Sequence, residues 1–151
     1  MTMTEPQEIT PIEMHELVGA AAELYSEGYR FVHVCCTTLE SSYELTYAFD
    51  REYRMKIFRV IVTPDEEIPS ISVIYPNSFL YENEIQDLFG LKIRNIAVDY
   101  HGTLYRTAID APFSIATLKV MLTPKQGGGV PKQKPDSATV QTEASGEQST
   151  T

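Results

Sequence analysis

The sequence contains no tryptophan, only two cysteines, and no lysine or arginine before Arg30. It also has no apolar run near the roughly twenty residues that a membrane-spanning helix needs. Each absence excludes something. Cys35 and Cys36 are adjacent, so on a strand their side chains point to opposite faces and a disulfide between them would be badly strained. An iron–sulfur cluster needs about four spaced thiolates. Both cysteines therefore read as small buried hydrophobes. The histidines, His15, His33 and His101, are scattered, with no Glu-x-x-His pair, and no Walker A or nucleophile-elbow motif is present. The first residues lack the basic start and apolar centre of a signal peptide, so a cytoplasmic chain is expected.

What is present is an ordinary globular composition, 42% hydrophobic and 22% charged, in 151 residues, enough for one domain with a real core. The net charge of -9 falls on residues 1–123, because Lys125, Lys132 and Lys134 balance Asp136, Glu143 and Glu147 beyond them. Such an acidic domain repels phosphate backbones, which argues against nucleic-acid binding. Residues 1–9 read as a flexible start, 10–122 as a single α+β domain, and 123–151 as a disordered low-complexity tail.

Within the domain, Thr10, Pro11 and Glu13 carry the signals of a helix N-terminus, and apolar residues recur at helical spacing from Met14 to Tyr25 before Gly28. Three strands follow, at about 31–39, 43–50 and 54–62. In the second, Tyr43, Leu45, Tyr47 and Phe49 alternate with Glu44, Thr46, Ala48 and Asp50. Short turns between consecutive strands predict an antiparallel meander with helices packed on one face. Residues 71–75 read as one helical turn, and Asn77 as the cap of a helix ending at Gly90. Residues 91–98 read as extended, 99–102 as a turn, and 103–122 as irregular with a short strand near 118–122.

The chemistry lies in the 81–90 helix, Tyr-Glu-Asn-Glu-Ile-Gln-Asp-Leu-Phe-Gly. Glu84 and Asp87 are neighbours on one flank of its apolar arc, and Glu82 lies on the other. Solvated acids on an amphipathic helix are the plainest interpretation. Against it, Asp87 occupies the last turn, where the helix dipole disfavours an anion and calls for a basic partner such as Arg94, Arg106 or a group on another chain. A catalytic carboxylate pair has the right residue types, but nothing else in the sequence accompanies it.

Residues 75–91 resemble the signature of the 30 kDa subunit family of respiratory complex I, whose members also serve energy-converting membrane-bound [NiFe] hydrogenases. The family pattern is Glu-Arg-Glu, two variable residues, Asp, two apolar residues and Gly. Glu82, Glu84, Asp87, Leu88, Phe89 and Gly90 match it, and Asn83 replaces the Arg. The order of elements over about 10–106 agrees as well. Ile96 stands where respiratory members carry a His or Lys, and the polar end of the chain replaces their longer C-terminal arm. These departures bring the chain closer to the Ech-type hydrogenase branch.

The resemblance implies a non-catalytic peripheral-arm subunit that binds no cofactor. Its partners would be a large [NiFe]-hydrogenase-like or quinone-site catalytic subunit and iron–sulfur subunits, which hold the [NiFe] centre and the iron–sulfur clusters. The complex would sit on the cytoplasmic side of the membrane and take electrons from ferredoxin. Glu82, Glu84, Asp87, Phe89, Arg94, His101 and Arg106 are the expected interface residues. The corresponding subunit of a complex I-type NADH or ferredoxin:quinone oxidoreductase is the alternative within the class. A free-standing α+β interaction module is the alternative outside it.

Overall fold

The computed structural model describes residues 7–123. Residues 1–6 of the expected flexible start 1–9, and residues 124–151 of the expected tail 123–151, lie outside the described residues, whereas Glu8 and Ile9 lie in a strand. The three predicted strands are present: β2 (Arg30–Thr38), β3 (Tyr43–Arg51) and β4 (Arg54–Val62), each antiparallel to the next. The alternation in β3 does what it predicts, burying Tyr43, Leu45, Tyr47 and Phe49 on one face.

A strand that the sequence did not reveal, β1 (Glu8–Pro11), adds to β4 in parallel, giving a four-stranded mixed sheet in the order β1-β4-β3-β2. Thr10 and Pro11, read as a helix start, belong to this edge strand, where a proline is tolerated. The helix begins later. A 3-10 turn, Met14–Glu16, leads into α1 (Leu17–Ser26), and the Glu16 carboxylate accepts the Glu13 N–H at 2.8 Å. The capping signal is therefore real but lies three residues further on. Gly28, at φ 85°, ends the segment as expected.

The helix face carrying Leu17, Ala21 and Leu24 packs on Leu45, Tyr47, Phe49, Val60 and Val62, which forms the core. Each Leu, Val or Phe among them, fully buried, contributes about 1.5–3 kcal/mol. Phe31, Phe49, Tyr75 and Tyr81 join it through ring contacts with centroids 5.3–5.9 Å apart.

After β4 come β5 (Glu67–Pro69) and the expected single helical turn, closed by Tyr75 N–H to Ile71 O at 2.9 Å. Next is α2 (Ser78–Phe89), which Gly90 stops at φ 72°. The extended stretch predicted for 91–98 narrows to β6 (Lys92–Arg94), paired in parallel with β5. The expectation for 118–122 is corrected: Ile115–Leu122 is a helix, α3, with the Ser114 hydroxyl accepting the Thr117 N–H at 3.2 Å. Its apolar residues show no strand alternation, and a capping serine decides the matter.

Candidate functional site

Helix α2 lies against β2 and carries two kinds of polar residue, those sunk into the domain and those left at its surface. Glu82 is sunk. It is 1% exposed, and its Oε1 accepts Ile71 N–H at 2.8 Å and Ser78 O–H at 3.2 Å, while Oε2 accepts Ser70 O–H at 2.5 Å. Burial raises its pKa above the ordinary carboxylate value, and these three hydrogen bonds oppose the rise. The outer flank assigned to it by helical periodicity is thus occupied by the 70–72 turn.

Asn83, noted in the sequence only as a departure from the motif, is fully buried and central. Its Nδ2 donates to Phe79 O at 2.7 Å and Val98 O at 2.8 Å, and its Oδ1 accepts Tyr100 N–H at 2.8 Å. Gln86 accepts Ile93 N–H at 3.2 Å and donates to Asp99 Oδ1 at 3.2 Å. Asp87 accepts Tyr105 N–H on Oδ2 at 2.7 Å. Ser72 Oγ accepts Ala97 N–H at 2.8 Å. The amides of Ile93, Ala97, Tyr100 and Tyr105 thus all end on side chains of this chain. These backbone groups are therefore satisfied within the chain, without a partner.

The remaining predicted residues stand further out. Glu84 is half-buried, and its Oε2 accepts Tyr105 O–H at 2.9 Å, which raises the tyrosine's pKa. Phe89 is half-buried between Tyr43 and Phe113, with centroids 6.2 and 5.7 Å away. Arg94, His101 and Arg106 are exposed. His101 Nδ1 lies 3.4 Å from Asp99 Oδ2. Among the described residues, no ion pair joins Arg94 or Arg106 to Glu84 or Asp87. Asp87 Oδ1, although buried, has no hydrogen-bond partner there, and neither has Thr107 Oγ1. The structure therefore brings Glu84 and Asp87 together around Tyr105, sets Glu82 apart in the interior, and leaves the arginines unpaired with these acids.

Among the described residues, no group of three or more His, Cys, Asp or Glu side chains converges as a metal site would require, and no helix is long and apolar enough to cross a membrane. Ser72 and Gln86 carried no signal in the sequence, because they act on residues brought near only by the fold, whereas Ser78 reaches Glu82 one turn along α2.

Residues 9–112 match the family model described as "Respiratory-chain NADH dehydrogenase, 30 Kd subunit". The chain belongs to this family. No curated protein sequence matches it. Among solved structures, it is similar to a chain in the structure of the membrane-bound sulfane sulfur reductase, an archaeal respiratory membrane complex. The TM-score is 0.63 at 14% identity, over 89% of this chain and 88% of that one. At that identity the likeness is one of fold. All the α2 contacts to segment 93–105 lie inside the span that defines the family, whereas α3 lies beyond it.

Proposed function

We propose that the chain is a non-catalytic peripheral-arm subunit of a membrane-bound respiratory complex of the energy-converting, [NiFe]-hydrogenase-related branch. There it docks on the large catalytic subunit at the cytoplasmic side and supports electron flow from ferredoxin. The family match over residues 9–112 carries the reading. The similarity of fold to a chain of an archaeal respiratory membrane complex supports the membrane-bound setting. The replacement of the motif arginine by Asn83, and Ile96 after the helix, favour the hydrogenase-related branch over quinone reduction.

The surface fits a subunit role. Val98, Tyr100, Tyr105, Phe113, Met121 and Leu122 are all more than a third exposed and follow one another along the segment that also presents Arg94, His101 and Arg106. In this reading the [NiFe] centre and the iron–sulfur clusters belong to the partner subunits. The family's own description favours a second reading, the equivalent subunit of a complex I-type oxidoreductase.

The test is to tag the chain in its host, purify it from detergent-solubilised membranes and identify the large subunit that accompanies it. A large subunit with two Cys-x-x-Cys pairs for nickel supports the hydrogenase branch, and one without them supports quinone reduction. Recovery of the chain alone, as a soluble monomer, overturns both readings.

A further inference from the structure

The last turn of α2 leaves one strong acceptor unused. Asp87 is 4% exposed, yet only its Oδ2 is hydrogen-bonded, while Oδ1 is buried and unpartnered among the described residues. Two residues along the chain from the amide that Asp87 binds, Thr107 Oγ1 is also buried and unpartnered. Glu84, one turn back, adds a second carboxylate, and its Oε2 shares Tyr105 with Asp87. Among the described residues no cation compensates the two acids: the ion pairs join Arg30 to Asp50, Lys56 to Glu27 and Arg59 to Glu44, and His101 faces Asp99. A buried carboxylate oxygen left unmatched is costly, and a C-terminal helix turn adds to the cost.

We infer that Glu84, Asp87 and Thr107 form a receptor for a guanidinium group supplied by the large catalytic subunit, so that the site is complete only in the assembled complex. This rests on the docking reading above. The chemistry selects arginine, because a planar fork of donors can serve two carboxylates and a hydroxyl together. The net charge of -9 makes a basic partner surface the complementary one.

Arg106 of this chain does not fill the role. It is exposed, and among the described residues no ion pair joins it to Glu84 or Asp87. The entry route is the turn over Oδ1. It contains His101 at φ 52° and Gly102 at φ 75°, and a Cβ on Gly102 would lie 3.9 Å from Oδ1. Amides at Tyr100 and Tyr105, held by Asn83 and Asp87, fix its two ends.

The experiment compares wild type, Asp87→Asn, Thr107→Val and Arg106→Ala as full chains, first alone and then in reassembly with membrane complex stripped of this subunit, at low and high salt. Asp87→Asn keeps an oxygen for the Tyr105 amide, so the isolated variant should melt like wild type. Its reassembly should weaken by about 30-fold or more, mainly through faster release. Thr107→Val should weaken reassembly less, and Arg106→Ala should not reproduce the Asp87→Asn loss. Equal reassembly by Asp87→Asn overturns the inference while leaving the docking reading intact. An equal and non-additive loss in Arg106→Ala also overturns it, by placing the cation within this chain. If wild type itself fails to reassemble, the docking reading falls, and this inference falls with it.

Discussion

Removing the Glu82 carboxylate tests how far the interior of this domain depends on one buried acid. The Glu82 carboxylate can only accept, so it takes the Ser70 hydrogen and the network runs one way: Ala97 N–H to Ser72 Oγ at 2.8 Å, Ser72 O–H to Ser70 Oγ at 2.7 Å, and Ser70 O–H to Glu82 at 2.5 Å. Ile71 N–H and Ser78 O–H donate to the other carboxylate oxygen. In Glu82→Ala the hydroxyls can turn elsewhere, but the Ile71 N–H cannot, and a cavity remains. Together these should cost about 3–5 kcal/mol, a large part of the roughly 5–15 kcal/mol that holds a domain folded. In Glu82→Gln the amide oxygen can keep the Ile71 and Ser78 bonds. Its NH2 group, however, must donate to Ser70, which reverses the chain and strands a hydroxyl hydrogen at Ser72. That should cost about 1 kcal/mol.

The two side chains also differ in their response to pH. Burial holds the folded pKa of Glu82 above its ordinary value, so the folded state takes up a proton before the unfolded chain does. The stability of wild type relative to Glu82→Gln should therefore rise as pH falls through that raised pKa towards the ordinary carboxylate range, and level off below it. Urea titrations followed by far-ultraviolet circular dichroism at several pH values measure this directly. A Glu82→Ala cost below about 1 kcal/mol, or a difference between wild type and Glu82→Gln that ignores pH, would refute the reasoning.

Asn83→Asp is nearly isosteric, but it turns an oxygen towards the Phe79 and Val98 carbonyls, now 2.7 and 2.8 Å from the amide nitrogen. It should cost about 3 kcal/mol or more in urea titration, with faster hydrogen exchange at the Tyr100 amide; wild-type exchange there would disprove the role. Gly90→Ala should cost about 1–2 kcal/mol, because residue 90 sits at φ 72° and a new Cβ would lie 3.0 Å from that of Ala111; an unchanged denaturation midpoint would contradict this. The cysteines should separate by chemistry. Burial pushes the Cys36 thiol up to about 12, whereas Cys35, contrary to its reading as a buried hydrophobe, is exposed, so iodoacetamide at mildly alkaline pH should modify Cys35 alone, as peptide mass mapping would show.

The parts of the fold that were legible in the sequence are those set by local pattern. The meander was readable because β3 buries one face and alternates, and α2 because Gly90 stops an amphipathic run. β1 was not, because four residues ending in proline become a strand only beside β4, some fifty positions away. α3 was misread because its apolar residues show no decisive period. At the site, the sequence pointed to the right helix but not to the destination of each side chain. Glu82 and Asn83 sit next to each other in a polar-looking stretch, and only the wrapping of residues 70–72 and 98–100 around α2 puts them inside. The unmatched Asp87 was foreseeable in part, since an acid in the last turn lacks support from the dipole.

Surface connections usually accept added or deleted residues with little penalty. Segment 93–105 should not. Its amides at 93, 97, 100 and 105 each meet a particular side chain, from Gln86, Ser72, Asn83 and Asp87 in turn. One inserted residue shifts an extended chain by about 3.3 Å, more than any hydrogen bond can stretch, so every amide beyond the insertion would lose its match together. Side chains that face outwards, at 94, 98, 101 and 106, can vary without disturbing those matches. The number of residues between Gly90 and Tyr105 cannot, which makes length, rather than composition, what this part of the fold prescribes.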